Sequence, residues 1–165
     1  MIGTRIEEDG GNRVSARTGT LVRKWLRLSW SDRLLLGEAV AALAVASLAI
    51  AILRFRTIAL IAGWIAGEEV PEPEYRRSLA RRVRWAVKAC SNRVPWRAVC
   101  FQQGLAAQWM LRRRGVASTL YYGATPDAVT GLATHVWVRD GNTDVIGCEI
   151  ADKFAVLAAF PPLKP

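Results

Sequence analysis

The chain has 165 residues, with one histidine, His135, and three cysteines, Cys90, Cys100 and Cys148. Among unperturbed side chains only imidazole changes charge near neutral pH, so His135 is the natural base for any acid–base chemistry. Cys100 opens a strongly helical run, whereas His135 lies in the alternating run Thr134-His135-Val136-Trp137-Val138-Arg139 that marks a strand. A thiol in the first turn of a helix gains from the positive helix end, and a neighbouring imidazole lowers its pKa further. Such a pair makes a nucleophile and a base for attack on an acyl carbon, so peptide hydrolysis is the leading chemistry. Backbone N–H groups around Val99 and Cys100, with Gln102 or Gln103, are the candidate donors to the oxyanion. Cys90 recurs with Leu79, Val83 and Val87 at helical spacing and reads as core.

A third group is needed to accept from the other imidazole nitrogen and fix its tautomer. The turn Asp140-Gly141-Asn142 folds the His135 strand back on a strand over Asp144–Ile150. A loop of Gly141 to Thr143 pairs His135 with Glu149, whereas a loop of Gly141-Asn142 pairs it with Cys148 and turns Glu149 to the other face. Glu149 is the expected orienting acid, with Asp152 and Asp144 behind it. Cys100, His135 and Cys148 lack the close ligand spacing of a zinc site, and there is no phosphate loop or dinucleotide fingerprint. No metal and no cofactor are expected.

The elements around these residues divide the chain. Residues 1–30 are polar, Gly-rich and basic and read as a flexible segment, with a helix expected over Leu21–Ser29 and Ser31 or Asp32 capping the next. Residues 31–67 read as an apolar helical hairpin, in which Leu34–Leu53 carries only one charge, Glu38, and Thr57–Ala66 forms the second limb. The first limb nearly reaches membrane-spanning length, yet its seven alanines, Gly37 and Glu38 favour a helix covered by protein. Membrane association is not favoured. Residues 68–76, with Pro71 and Pro73, form an acidic linker, and 77–165 form the catalytic domain. There a helix ends at the Ser91–Trp96 break and a second runs to Gly115. Strands follow at Ser118–Tyr122 and Leu132–Arg139, with a loop from Gly123 to Gly131 between them and a short helix over 151–159. Helices first and an antiparallel sheet second make an α+β fold.

The net charge of +9 is concentrated, since Arg76 to Arg114 holds eleven Lys and Arg residues and no acid. That sector attracts polyanions, but no helix-turn-helix, zinc-finger or glycine-aromatic strand motif accompanies it, and nucleic acid is not the expected partner. The odd cysteine count without C-x-x-C and the absence of a signal peptide point to the reducing cytoplasm.

Val94-Pro95-Trp96 leading to Cys100, Leu105-Ala106-Ala107, Leu111-Arg112-Arg113-Arg114-Gly115, and Ala133-Thr134-His135-Val136-Trp137-Val138 followed by Asp140-Gly141 resemble the lasso-peptide maturation proteases. These are the transglutaminase-like B2 proteins, or the C-terminal half of the fused B protein. The resemblance covers roughly residues 30–165. It implies a transglutaminase-like or papain-like cysteine protease core. It also implies removal of the leader from a ribosomally made precursor peptide, with Cys100 as nucleophile, His135 as base and an acid near Glu149. Thr134 and Arg139 depart from the family's alanine before the histidine and glutamate beyond the tryptophan. No leader-recognition module is legible in residues 1–30, so the resemblance further implies a separate leader-binding protein and, downstream, an ATP-dependent lasso cyclase. Acyl transfer by the same pair and a non-catalytic peptide or membrane scaffold are the competing readings.

Overall fold

The computed structural model describes residues 28–53, 57, 72–129 and 131–162. The expected helix over 21–29 and the second limb over 57–66 fall largely outside them. Helix α1 spans Trp30–Ile52. It starts where Ser29 Oγ accepts the Asp32 N–H at 3.2 Å, so the cap is Ser29 rather than Ser31 or Asp32. Leu35, Ala39, Leu43 and Ala46 recur at helical spacing and are buried. Leu34, Val45, Leu48 and Ile52 on the other side remain exposed. By length and composition α1 is apolar enough to cross a membrane, but its buried stripe belongs to a core shared with the rest of the fold. Its one interior acid is matched, since Glu38 bonds Arg113 Nη2 at 2.8 Å and Arg114 Nη1 at 2.8 Å.

Leu35–Pro165 form one compact unit. Helix α2 spans Pro73–Ser91, with proline in the first turn where its missing N–H leaves no bond unmade. Leu79, Val83, Ala86, Val87 and Cys90 make its buried stripe, and cationic residues hold the other side. Helix α3 spans Cys100–Arg112. Behind it stands an antiparallel sheet in the order β3-β2-β1-β4, built from β1 Thr119–Asp127, β2 Gly131–Asp140, β3 Thr143–Ile146 and β4 Ala155–Phe160. A 3-10 turn, η1, covers Cys148–Lys153. The mixed α+β fold with an apolar N-terminal helix agrees with the sequence reading.

Three local expectations are corrected. The segment from Gly123 toward Gly131 is not a loop, because β1 runs on to Asp127 opposite β2, with Gly123 facing His135. The third strand does not reach Ile150. The hairpin closes on Gly141-Asn142, pairing Arg139 with Asp144, and an irregularity then shifts the register so that Val138 faces Ile146. Pairing stops there because Gly147 takes φ +75° and turns the chain into η1. Finally, most of 151–159 is not helical: Ala155–Phe160 is an edge strand on β1.

Helix α3 lies on the β1–β2 face. A Cβ on Gly104 would come within 2.8 Å of Val136 Cγ1 and 3.4 Å of Leu120 Cδ1, so glycine lets helix and sheet approach closely. Gln108, fully buried, donates from Nε2 to Phe160 O at 2.6 Å, and Arg112 donates from Nη2 to Ser118 O at 3.0 Å. These bonds fix the C-terminal half of α3 over the start of β1 and the end of β4. Its N-terminus, and Cys100 with it, therefore points to the opposite end of the sheet.

Helix α2 is clamped to the hairpin by a fork. Arg76 Nε donates to Asp140 Oδ2 at 3.0 Å and Nη2 donates to Oδ1, and the Asp140 side chain is only 3% exposed. The hydrogen bond to Asp140, reinforced by its charge, raises the Arg76 pKa against the opposing effect of burial. Arg76→Ala strands a buried carboxylate, a loss of about 3 kcal/mol. The urea midpoint is expected to fall accordingly, whereas Arg77→Ala on the exposed side of the same turn leaves it within about 0.5 kcal/mol of the native value.

Candidate active site

Cys100 is the first residue of α3, and Val99 before it offers no side-chain cap. The N–H groups of Cys100 and Gln102 lie in the first turn, where no preceding turn of helix offers them a carbonyl, so this end presents donors beside the thiol. Gln103 is committed elsewhere, its Nε2 donating to Ala98 O at 2.7 Å. Gln102 Oε1 is buried and has no hydrogen-bond partner among the described residues.

The other two thiols are held in structural roles. Cys90 Sγ donates to Leu36 O at 3.6 Å, and burial pushes its pKa up. Cys148 Sγ donates to Val138 O at 3.2 Å, and burial, then the Asp144 charge, push its pKa up. Both effects disfavour the thiolate. Cys100 Sγ is half-buried and makes no hydrogen bond among the described residues, which leaves it as the available nucleophile.

His135 is fixed on three sides. Its ring is 6.1 Å from the Trp137 ring in a stacked arrangement and 5.2 Å from the Phe154 ring, while Trp137 in turn stacks on Tyr121 at 5.6 Å. Nε2 lies 2.7 Å from Gly147 O. A carbonyl only accepts, so Nε2 carries the proton, and Nδ1 of the neutral ring is the bare, basic nitrogen. The group holding the histidine is thus a main-chain oxygen, presented by the left-handed turn that ends β3. A Cβ on Gly147 would fall 2.5 Å from Val136 O, which only glycine avoids.

Of the carboxylates expected to orient His135, Glu149 and Asp144 are bound to cations. Glu149 Oε1 accepts from Arg84 Nη2 at 2.7 Å and from Lys88 Nζ, both on α2. Asp144 Oδ1 accepts from Arg139 Nε at 2.8 Å. Asp152 is exposed on η1. The Glu149 carboxyl is held below the usual range first by the Lys88 hydrogen bond, then by its own backbone N–H and by the charges of Lys88 and Arg84. A depressed carboxyl adds stability that is present above its unfolded pKa of about 4.3 and lost as pH falls through the folded value. The pair is nearly half exposed, so screening limits this to about 0.5 kcal/mol. Glu149→Gln is expected to lower urea stability by that amount at pH 6, with the gap closing toward pH 3.

Residues Val136 and Val138 face α3, so strand alternation sends His135 and Trp137 to the other side of β2. His135 is the fifth of the ten residues of β2, and among the described residues no hydrogen bond joins its imidazole to the Cys100 thiol. Neither do the described residues hold any group of three or more His, Cys, Asp and Glu able to bind a metal.

Residues 40–159 match the family model of the transglutaminase-like superfamily. The chain finds no match among curated proteins or solved structures.

Proposed function

The chain belongs to the transglutaminase-like superfamily, the hallmark domain of the lasso-peptide leader-peptidase-like proteins, and from that premise we propose a cysteine peptidase that removes the leader from a ribosomally made precursor. The observation that carries this reading is the His135 Nε2–H bond to Gly147 O, which leaves Nδ1 as the free basic nitrogen, in a chain whose Cys100 thiol stands at the first turn of α3. In the proposed mechanism Nδ1 takes the Cys100 proton and the thiolate attacks the scissile carbonyl. The first-turn N–H groups of α3 hold the resulting oxyanion. The imidazolium then protonates the departing amine, and water releases the acyl group from Cys100 with His135 again as base. The proton transfer requires peptide binding to bring thiol and imidazole together, because strand alternation sets His135 on the face of β2 away from α3.

A separate leader-binding protein delivers the precursor, and an ATP-dependent cyclase uses the amine that cleavage exposes. Three free thiols support a reducing, cytoplasmic setting. The test is mass spectrometry of a leader–core precursor incubated with this protein and its leader-binding partner. A single cut at the junction, together with an acyl adduct on Cys100 trapped by acid quench, supports the reading. An intact precursor despite a demonstrated ternary complex sinks it for that precursor.

A further inference from the structure

The outer side of α2 carries an open groove of about 550 Å³ lined by Arg81, Arg84, Trp85, Lys88 and Ala89. These positions follow one another at helical spacing, so three cations surround an apolar floor made by an exposed indole and a small alanine. Trp85 is 42% exposed, and Arg81 has no acidic partner among the described residues. The groove already holds a carboxylate at its edge, because Arg84 and Lys88 both donate to Glu149 Oε1. Glu149 is two residues from Gly147, a chain distance of at most about 7 Å, and Gly147 O holds His135. Glu149 thus links the edge of the groove, through two residues of chain, to the turn whose carbonyl holds His135.

We propose that this groove is a docking subsite for an acidic stretch of the peptide that the site cleaves, a proposal that rests on the peptidase reading. Arg81 and Lys88 are seven positions apart on α2, about 10 Å, which matches roughly three residues of extended peptide. The best occupant carries one carboxylate on Arg81 and an apolar side chain on Trp85, with a second carboxylate that takes the place of Glu149 on the Arg84–Lys88 pair. A single strand of nucleic acid meets the same cations and can stack a base on Trp85, so it is the alternative that the experiment discriminates.

The experiment is fluorescence anisotropy on the full chain carrying Cys100→Ala, which prevents turnover. The probe is a fluorescein-labelled peptide with glutamates spaced about three residues apart around a leucine, compared with its lysine-for-glutamate counterpart. The acidic peptide is expected to bind with an affinity that falls as salt rises. Arg81→Glu should weaken it roughly tenfold and Trp85→Ser about fivefold. Both side chains are exposed, and unchanged circular dichroism shows that the variants fold. Equal binding of the lysine peptide, or indifference to both substitutions, overturns the proposal. Displacement of the peptide by a single-stranded oligonucleotide that binds at least about tenfold more tightly overturns it in favour of nucleic acid. Because binding is read without cleavage, an inactive native protein that still binds the acidic peptide would sink the peptidase reading and leave the subsite standing.

Discussion

Cys100→Ala is expected to lower leader cleavage by at least about a thousandfold, the scale on which removing a nucleophile from a cooperating pair acts. What survives is the weak effect of binding and of the donors at the start of α3. The loss falls on kcat, since the thiol bonds to the peptide only after attack begins, and KM should change little. Stability should fall by about 1 kcal/mol or less, because the side chain is half-buried and its Sγ makes no hydrogen bond among the described residues. The other cysteines provide the contrast. Cys148→Ala and Cys90→Ala remove thiols whose environment raises their pKa and which donate to main-chain carbonyls. Each should keep the cleavage rate within about threefold while losing roughly 1–2 kcal/mol on urea unfolding. Loss of cleavage in Cys148→Ala with full activity in Cys100→Ala would exchange the two assignments.

Gly147→Ala carries the second large effect, and it acts on both fold and chemistry. The residue sits at φ +75°, where a side chain costs about 1 kcal/mol, and its Cβ would lie 2.5 Å from Val136 O and 3.2 Å from Trp137 Cα. Both neighbours are backbone atoms of the central strand, so Gly147 must move rather than they. A total loss of about 3 kcal/mol, or roughly 10 °C in melting temperature, is expected. Moving Gly147 also moves the carbonyl that His135 Nε2–H bonds. The ring then loses its fixed tautomer, and kcat should drop about 10- to 100-fold even well below the melting temperature. Glu149→Gln tells the two kinds of support apart. If the Glu149 carboxylate oriented the imidazole, that variant would lose rate to a similar degree. With the main-chain carbonyl in that role, it should keep kcat within about threefold.

Much of this arrangement was legible from residue types. The stripe Leu79-Val83-Val87-Cys90 announced α2, and Pro95 followed by an apolar run announced a helix starting near Cys100. Alternation around His135 announced β2, and Asp140-Gly141-Asn142 announced its turn. Legibility failed where the signal was ambiguous or absent. Ala155–Phe160 is alanine-rich and lacks alternation, so it read as helix although pairing with β1 makes it a strand. The Gly123–Asp127 stretch contains Gly and Pro and read as loop, although tertiary pairing with β2 holds it extended. The acceptor for His135 had no signature because a carbonyl belongs to every residue. A register argument built on side chains favoured Glu149. The shift between Val138 and Arg139 and the turn at Gly147 carry Glu149 away to Arg84 and Lys88. The one available sign was a glycine where a strand was expected to continue, which is how bulges and close backbone approaches advertise themselves.

The left-handed turn at Gly147 also bears on how this protein tolerates change. Every amino acid one base substitution away from a glycine codon has a Cβ, so no single-step neighbour fits the space beside Val136 O. Gly147 is therefore a dead end for gradual drift, and random mutagenesis should find it intolerant. Deleting side chains one at a time elsewhere would meanwhile leave the oxygen that steadies the imidazole untouched. The support of the proposed base is thus written in the sequence only as a prohibition, a place where nothing larger than hydrogen is permitted.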